Sequence, residues 1–343
     1  MKEPILTIGI PTYNRPNSIV KTVRALLPQL NDLVVLKVWD NCSDTPVSTL
    51  FTDEEKEKFT IIRNKTNIGG DANICGVIYN ADTKWVWDLG DDDEPLENAV
   101  EVILNYIGKY PEALFFKYNS YIERELHSFN DVVDICKYQW VFSNFLYISS
   151  GIYNREKLNG DIQHYYVNLS SMVGQTIFIL KHLEKKDEEC YFLSKKIVGH
   201  SVDGLEEGTE EIEGGTWDAA TFINRSSIIF DVFKDKKKAL NSTLFAGVAN
   251  QYLNSLGGHG LSMAKTLSSL KKTIENVGLI NILRFNHSAF GKLLVKLLLL
   301  MILPDKYYQM IKKKKKLKAN RKTLEKEICK FKNDSLKNIK SNN

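Results

Sequence analysis

Apolar and polar positions along the first hundred residues fall into a repeating unit. A run of β-forming residues at 5–10 ends in the turn-forming stretch Pro11-Thr12-Tyr13-Asn14-Arg15-Pro16, and residues 17–27 then follow a helical period. Residues 33–39 repeat the theme and stop at Asp40-Asn41-Cys42-Ser43-Asp44. Residues 59–63 do so again and stop at 64–70. A fourth apolar run, Trp85-Val86-Trp87, empties into Asp88-Leu89-Gly90-Asp91-Asp92-Asp93-Glu94-Pro95. Strands alternating with helices predict an α/β fold: a mainly parallel sheet covered on both faces and built with right-handed crossovers. Further along, the pattern predicts a helix over 97–110, a strand over 114–118 and an irregular aromatic-rich segment over 121–146. A strand over 147–153, a helix over 172–183, a strand over 191–198 and helices within 217–252 follow.

Sheets of this kind bind ligands outside the carboxyl ends of their strands, and here those ends carry the polar residues. Asp40, directly after an apolar strand, is the kind of acid that accepts hydrogen bonds from a ribose or a base, or that opens a turn. Asn67-Ile68-Gly69-Gly70 lets backbone approach phosphates ahead of a helix N-terminus, or is a loop before a capping Asp71. The successive acids at 91–94 repel one another and call for a counter-charge. A hard divalent cation, Mg²⁺ or Mn²⁺, fits, with water and phosphate oxygens filling its other positions. A solvated acidic turn that caps the next helix is the simpler alternative.

Four blocks in order, Ile10-Pro11-Thr12-Tyr13-Asn14-Arg15, Asp40-Asn41-Cys42-Ser43-Asp44, Asn67-Ile68-Gly69-Gly70-Asp71-Ala72-Asn73 and Trp87-Asp88-Leu89-Gly90-Asp91-Asp92-Asp93, resemble those of bacterial family 2 glycosyltransferases with a GT-A fold. The Gly-Asp-Asp-Asp variant is similar to that of abequosyltransferase-like members, which decorate surface polysaccharides. The resemblance spans about residues 4–120. It implies a nucleotide-sugar donor lying against Pro11, Thr12, Tyr13, Asn14, Arg15 and Asp40, with Asn67, Gly69 and Asn73 nearby. It also implies a DXD-type element in which Asp91 and Asp92 face ribose and diphosphate, and Asp92 and Asp93 face a Mn or Mg ion. Gly90 stands where the family often has the first Asp. His200, at a strand end, matches a later metal ligand of some GT-A enzymes.

An inverting transfer needs a base beside the acceptor hydroxyl. The family's Glu-Asp pair at the start of the later helix is replaced here by Val173-Gly174-Gln175-Thr176, so Asp161 and Asp203 are the candidate bases. Trp140, Phe142, Phe145 and Tyr147 are either a sugar-stacking wall or core. The acidic, glycine-rich loop 203–215 is either a lid or a disordered segment.

Charge changes the picture at the far end. The net charge of +4 divides into +10 from residue 304 onward and −6 before it. The apolar segment 290–303 contains Lys292 and Lys296 and is too short to span a bilayer, but it is followed by Tyr307, Tyr308 and Lys312 to Lys316. That order predicts a helix lying in a membrane interface, against the alternatives of an oligomerising helix or one packed on the core. No nucleic-acid-reading motif accompanies the lysines.

Five scattered cysteines without a C-x-x-C pair fit a reducing compartment. The apolar N-terminal run, broken by Pro11 and Asn14, gives no signal peptide. The expected organisation is a donor-binding half at 1–120, an acceptor-binding half at 121–215, a helical region at 216–303 and a basic tail at 304–343. The expected protein is a cytoplasmic glycosyltransferase, peripheral on the inner face of the cell membrane, that acts on a saccharide or lipid-linked saccharide. A sugar nucleotidyltransferase or a non-catalytic nucleotide-binding scaffold are the alternatives.

Overall fold

The computed structural model describes residues 3–136 and 139–200, together with 228–233 and single positions between 225 and 295. In chain order the first half forms β1 (Leu6–Thr12), α1 (Pro16–Leu26), β2 (Val34–Asp40), α2 (Asp53–Lys56), β3 (Thr60–Arg63), α3 (Gly70–Tyr79), β4 (Trp85–Asp88), β5 (Asp93–Pro95) and α4 (Ala99–Lys109). There follow β6 (Phe115–Lys117), β7 (Arg124–Leu126), α5 (Phe129–Ile135), α6 (Gln139–Leu146), β8 (Gly151–Asn154), α7 (Arg155–Leu158), α8 (Gln163–Tyr166), α9 (Gly174–Lys185), β9 (Cys190–Phe192) and β10 (Val198–His200).

Among the described residues, eight strands make one sheet in the order β3-β2-β1-β4-β8-β6-β9-β7. The β3-β2, β2-β1, β1-β4 and β6-β9 pairs are parallel. The β4-β8, β8-β6 and β9-β7 pairs are antiparallel, so the sheet is parallel on the donor side and mixed beyond β4. Period-two alternation splits the side chains between two cores. Ile8, Leu36, Trp85, Trp87, Phe116 and Ile152 pack with Ile19 and Val23 of α1 and Ile103 of α4 on one face. Val86, Phe115, Tyr153 and Phe192 pack with Val77 of α3, Val132 of α5 and Phe178 of α9 on the other. Helices on both faces of this sheet are the α/β architecture the sequence led us to expect.

Register brings the polar strand ends to one rim. Thr12 pairs with Asp40 across β1 and β2, and Gly9 with Asp88 across β1 and β4, so the loops after all three strands open at the same edge.

Three segments differ from the pattern-based expectation. Residues 191–198 are two strands, because Asn119 accepts from the Ile197 amide and donates to the Val198 carbonyl, and so draws the chain out of the main sheet. There β10 pairs with β5 as a separate antiparallel ribbon. Residues 147–153 begin as a 3-10 turn (Ile148–Ser150) before β8. The 121–146 segment holds an edge strand and two helices; Ser128 caps α5, whose Phe129, Val132 and Val133 are buried. No helix among the described residues is long and apolar enough to cross a membrane.

Candidate active site

Four loops meet at the rim. After β1 the chain turns at Asn14, whose φ of 53° is tolerated by asparagine because its short amide bonds locally. The Asn14 amide nitrogen donates to Ser43 Oγ (3.0 Å), and its side chain exchanges hydrogen bonds with the Asp44 carboxylate and backbone. This locks the loop after β1 to the loop after β2. Between them lies a cavity of about 250 Å³ lined by Thr12, Asn14, Arg15, Ser43, Asp44 and Val47 among others. Tyr13 stands exposed at its margin, and Pro11 sits in β1 opposite Trp39.

Asp40 is not among the cavity-lining residues. Its carboxylate, fully buried, accepts from the amides of Ser43 (2.8 Å) and Val47 (3.3 Å) and pairs with the Arg63 guanidinium. Burial pushes its pKa up, but the hydrogen bonds from Ser43, Val47 and Arg63 outweigh that and hold it below the usual carboxylate value. Asp40 therefore shapes the cavity wall through its own loop.

A network of asparagines builds the third loop. Asn41 donates to Asn67 (2.8 Å) and accepts from Asn64 (3.0 Å) and from the Ile68 amide; Asn64 also donates to Asn73, which donates to the Trp39 carbonyl. Asn67 takes the Gly69 amide (2.8 Å), and Gly69 has a φ of 89°, which a Cβ would strain. The expected residues Asn67, Gly69 and Asn73 are thus brought together, through Asn41 and Asn64, which the sequence reading passed over.

The acidic turn after β4 gives its three aspartates different surroundings. Asp91 is buried: Thr12 Oγ1 donates to its Oδ2 (2.6 Å), Arg15 Nη1 to its Oδ1 (2.9 Å), and Thr22 to its carbonyl. Burial pushes its pKa up to about 6; Arg15 and Thr12 pull down against this, while Asp92 adds to it. Asp93 is held by hydroxyls, its Oδ1 accepting from Tyr147 and its Oδ2 from Ser149. Asp92 is the open one. Its side chain is 38% exposed against 7% for Asp91, and its Oδ2 lies 2.9 Å from the same Arg15 nitrogen. The Arg15 guanidinium thus bridges the two carboxylates, whose donors are hard oxygens of the kind a divalent cation takes.

Gly90 has a steric reason. A Cβ there would lie 2.9 Å from Asp93 Oδ2, 3.1 Å from Asp92 Oδ1 and 3.2 Å from Ser149 Oγ. The turn at 147–150 that fixes Asp93 is itself anchored from the core. Trp87 Nε1 donates to the Ser149 carbonyl (2.7 Å), and Nζ of the fully buried Lys117 donates to the Tyr147 carbonyl. Desolvation pushes the Lys117 pKa well down.

The remaining expected residues separate. The backbone of His200 pairs with Asp93 through the β10-β5 ribbon. Asp161 gives Oδ2 to His182 Nδ1 (2.8 Å) and Oδ1 to Lys185, both on α9; burial raises its pKa, but these partners bring it below the usual value. Gln175 is buried and donates to the Leu146 carbonyl. Phe145 packs on Phe115 and Phe192, which makes it core rather than sugar wall. Asp203, the loop 203–215 and the side chains of Trp140 and Phe142 lie outside the described residues, as do most of 290–303 and all of the basic tail.

No curated protein matches in sequence. Among solved structures, S. aureus TarS (residues 1–349) shares 14% identity at a TM-score of 0.48, covering 82% of this chain and 91% of that one. The mannosyltransferase PcManGT from Pyrobaculum calidifontis, in complex with GDP-Man and Mn²⁺, shares 12% at 0.45, covering 91% and 84%. Glucosyl-3-phosphoglycerate synthase from Mycobacterium tuberculosis, in complex with Mn²⁺, UDP and glucosyl-3-phosphoglycerate, shares 11% at 0.41, covering 65% and 80%. These are likenesses alone and transfer no activity. Residues 7–145, from β1 through most of α6 and including every loop of the rim just described, match the family model described as glycosyl transferase family 2.

Proposed function

We propose that this chain is a metal-dependent, inverting glycosyltransferase that moves a sugar from a nucleotide-diphosphate donor to a hydroxyl of a saccharide acceptor. One observation carries the reading. The acidic turn at the end of β4 sets Asp91 and Asp92 around the Arg15 guanidinium, at the rim that also carries a cavity walled by Thr12, Asn14 and Arg15.

Thr12 and Arg15 fix Asp91, Tyr147 and Ser149 fix Asp93, and Asp92 presents a half-exposed carboxylate between them. A Mn²⁺ or Mg²⁺ ion held by Asp92 would supply charge neutralisation to the departing diphosphate. Asp93 stands next to Asp92, on the strand with which the backbone of His200 pairs. Asp161 spends both oxygens on α9, so we assign it to packing and keep Asp203 as the base. Asp92→Asn should lower nucleotide release from a donor panel, measured with membrane extract as acceptor source, by about 100-fold, the scale of one lost charged contact to a transition state. Equal turnover would remove the proposal, and an Asp203→Asn variant with unchanged kcat would remove that base.

A second reading rests on Gln175. The first turn of α9 carries no carboxylate, and Gln175 is spent on the Leu146 carbonyl, which suits a scaffold that binds nucleotide without turnover. Nucleotide binding with no release of diphosphate from any donor would favour it. A sugar nucleotidyltransferase is disfavoured, because Pro11-Thr12-Tyr13-Asn14 is not a basic, glycine-rich loop.

We further propose a lipid-linked acceptor in surface-polysaccharide decoration, of the abequosyltransferase-like kind, with the chain attached to the cytoplasmic membrane face through residues 290–316. The order of apolar segment, tyrosines and lysines supports this. Liposome flotation undiminished by truncation after Asn286 would exclude it.

A further inference from the structure

We propose that Arg15 occupies the metal's place in the nucleotide-free protein and yields it when diphosphate and cation arrive together, which couples the two binding events. This rests on the reading above, that the acidic turn holds a metal and a diphosphate. A single nitrogen, Nη1, lies 2.9 Å from Asp91 Oδ1 and 2.9 Å from Asp92 Oδ2, the position of a shared counter-ion. Two adjacent carboxylates require such a charge, and here the chain supplies its own.

The surroundings allow an exchange. Asp91 is fixed by Thr12 and Thr22, whereas the Arg15 side chain is 27% exposed and lines the cavity of about 250 Å³, into which it can turn. Its residue stands at the N-cap of α1 without making a side-chain cap bond, so moving the guanidinium breaks no capping bond. A divalent ion at Asp92 is repelled while the guanidinium remains within a few ångström. A diphosphate beside the rim changes the balance, because its oxygens match a guanidinium's paired donors. Arg15 then trades carboxylates for phosphate and vacates the oxygens the metal takes. By linkage, each ligand raises the affinity of the other by the same factor.

Mn²⁺ binding, read by the EPR signal of the free ion, tests this without turnover. Wild type, Arg15→Gln, Arg15→Lys and Asp92→Asn are titrated with Mn²⁺ alone and with saturating UDP, GDP or CDP. Without nucleotide, Arg15→Gln should bind Mn²⁺ about tenfold more tightly than wild type, and nucleotide should then improve its affinity far less than it improves the wild type's. Arg15→Lys, which keeps the charge but not the paired donors, should bind Mn²⁺ alone as weakly as wild type. Equal Mn²⁺ affinity of Arg15→Gln and wild type without nucleotide overturns the exchange. So does Arg15→Lys binding as tightly as Arg15→Gln, which also covers loosening of the fold as the cause. Asp92→Asn binding Mn²⁺ as well as wild type in the presence of nucleotide would instead sink the metal reading itself, whatever Arg15 does.

Discussion

Asp88 is the group whose ionisation the fold resists most directly. It ends β4 on the face that packs against α3 and α8; its carboxyl is fully buried, and neither oxygen has a hydrogen-bond partner among the described residues. Burial alone pushes its pKa well above the usual carboxylate value, and Cys75, Tyr153 and Tyr165 lie close enough to feel its charge. The consequence for stability has a definite sign. In the unfolded chain Asp88 loses its proton near pH 4, while in the folded protein it keeps it. The folded state therefore binds more protons above pH 4, and stability falls as pH rises until the folded group also ionises. The slope is at most about 1.4 kcal/mol per pH unit. Asp88→Asn has nearly the same shape and no titration, so the stability gap between variant and wild type isolates this effect. Urea unfolding at pH 5, 6, 7 and 8, followed by the fluorescence of Trp85 and Trp87, both buried in the same strand, measures the gap. The gap should widen in favour of Asp88→Asn by up to that slope from pH 5 upward, then level off. A gap that stays flat from pH 5 to 8, or a variant less stable than wild type at pH 7, would show that Asp88 is ionised and paired in solution.

Two further substitutions probe the rim. Arg63→Met leaves the buried Asp40 carboxylate with donors from Ser43 and Val47 but no counter-charge; a cost of about 2 kcal/mol is expected, under the 3–5 kcal/mol of a fully buried pair because Arg63 is itself 36% exposed. Nucleotide affinity should weaken with it as the 41–47 loop loosens, and urea unfolding within 0.5 kcal/mol of wild type, a change of roughly surface size, would refute this. Tyr147→Phe removes the hydroxyl from Asp93 Oδ1 and should cost about 1 kcal/mol of stability, with weaker Mn²⁺ binding in the presence of nucleotide. Unchanged Mn²⁺ titrations would mean that the Tyr147 hydroxyl does not set Asp93 for the metal.

The donor side of the fold was legible because its signals are local. Period-two apolar runs ending in Pro11, Asp40, Asn64 and Asp88 mark parallel strands whose carboxyl ends share an edge, and the register of β1 with β2 and β4 puts them there. The acceptor side was less so. The 191–198 run looks like one strand until the Asn119 side chain, 78 residues earlier, claims the Ile197 amide, and the helices in 121–146 are held by packing on the sheet rather than by composition alone. Asp40 illustrates the limit for single residues. Its placement after a strand marked it as a ligand-facing acid, but its partner Arg63 comes from the next strand, and only the folded β2-β3 pair brings the two together.

By itself, then, the sequence determined that successive aspartates would sit at the mouth of a buried strand beside a Pro-Thr-Tyr-Asn-Arg turn, since chain adjacency and apolar period require nothing from distant residues. Which carboxylate is open was decided in three dimensions. Asp91 is closed by Thr12, 79 positions away, and Asp93 by Ser149, 56 positions away, leaving Asp92 exposed beside Arg15. Hydrogen-bond partners from remote segments, not the identity of the acids, set the electrostatics of the rim.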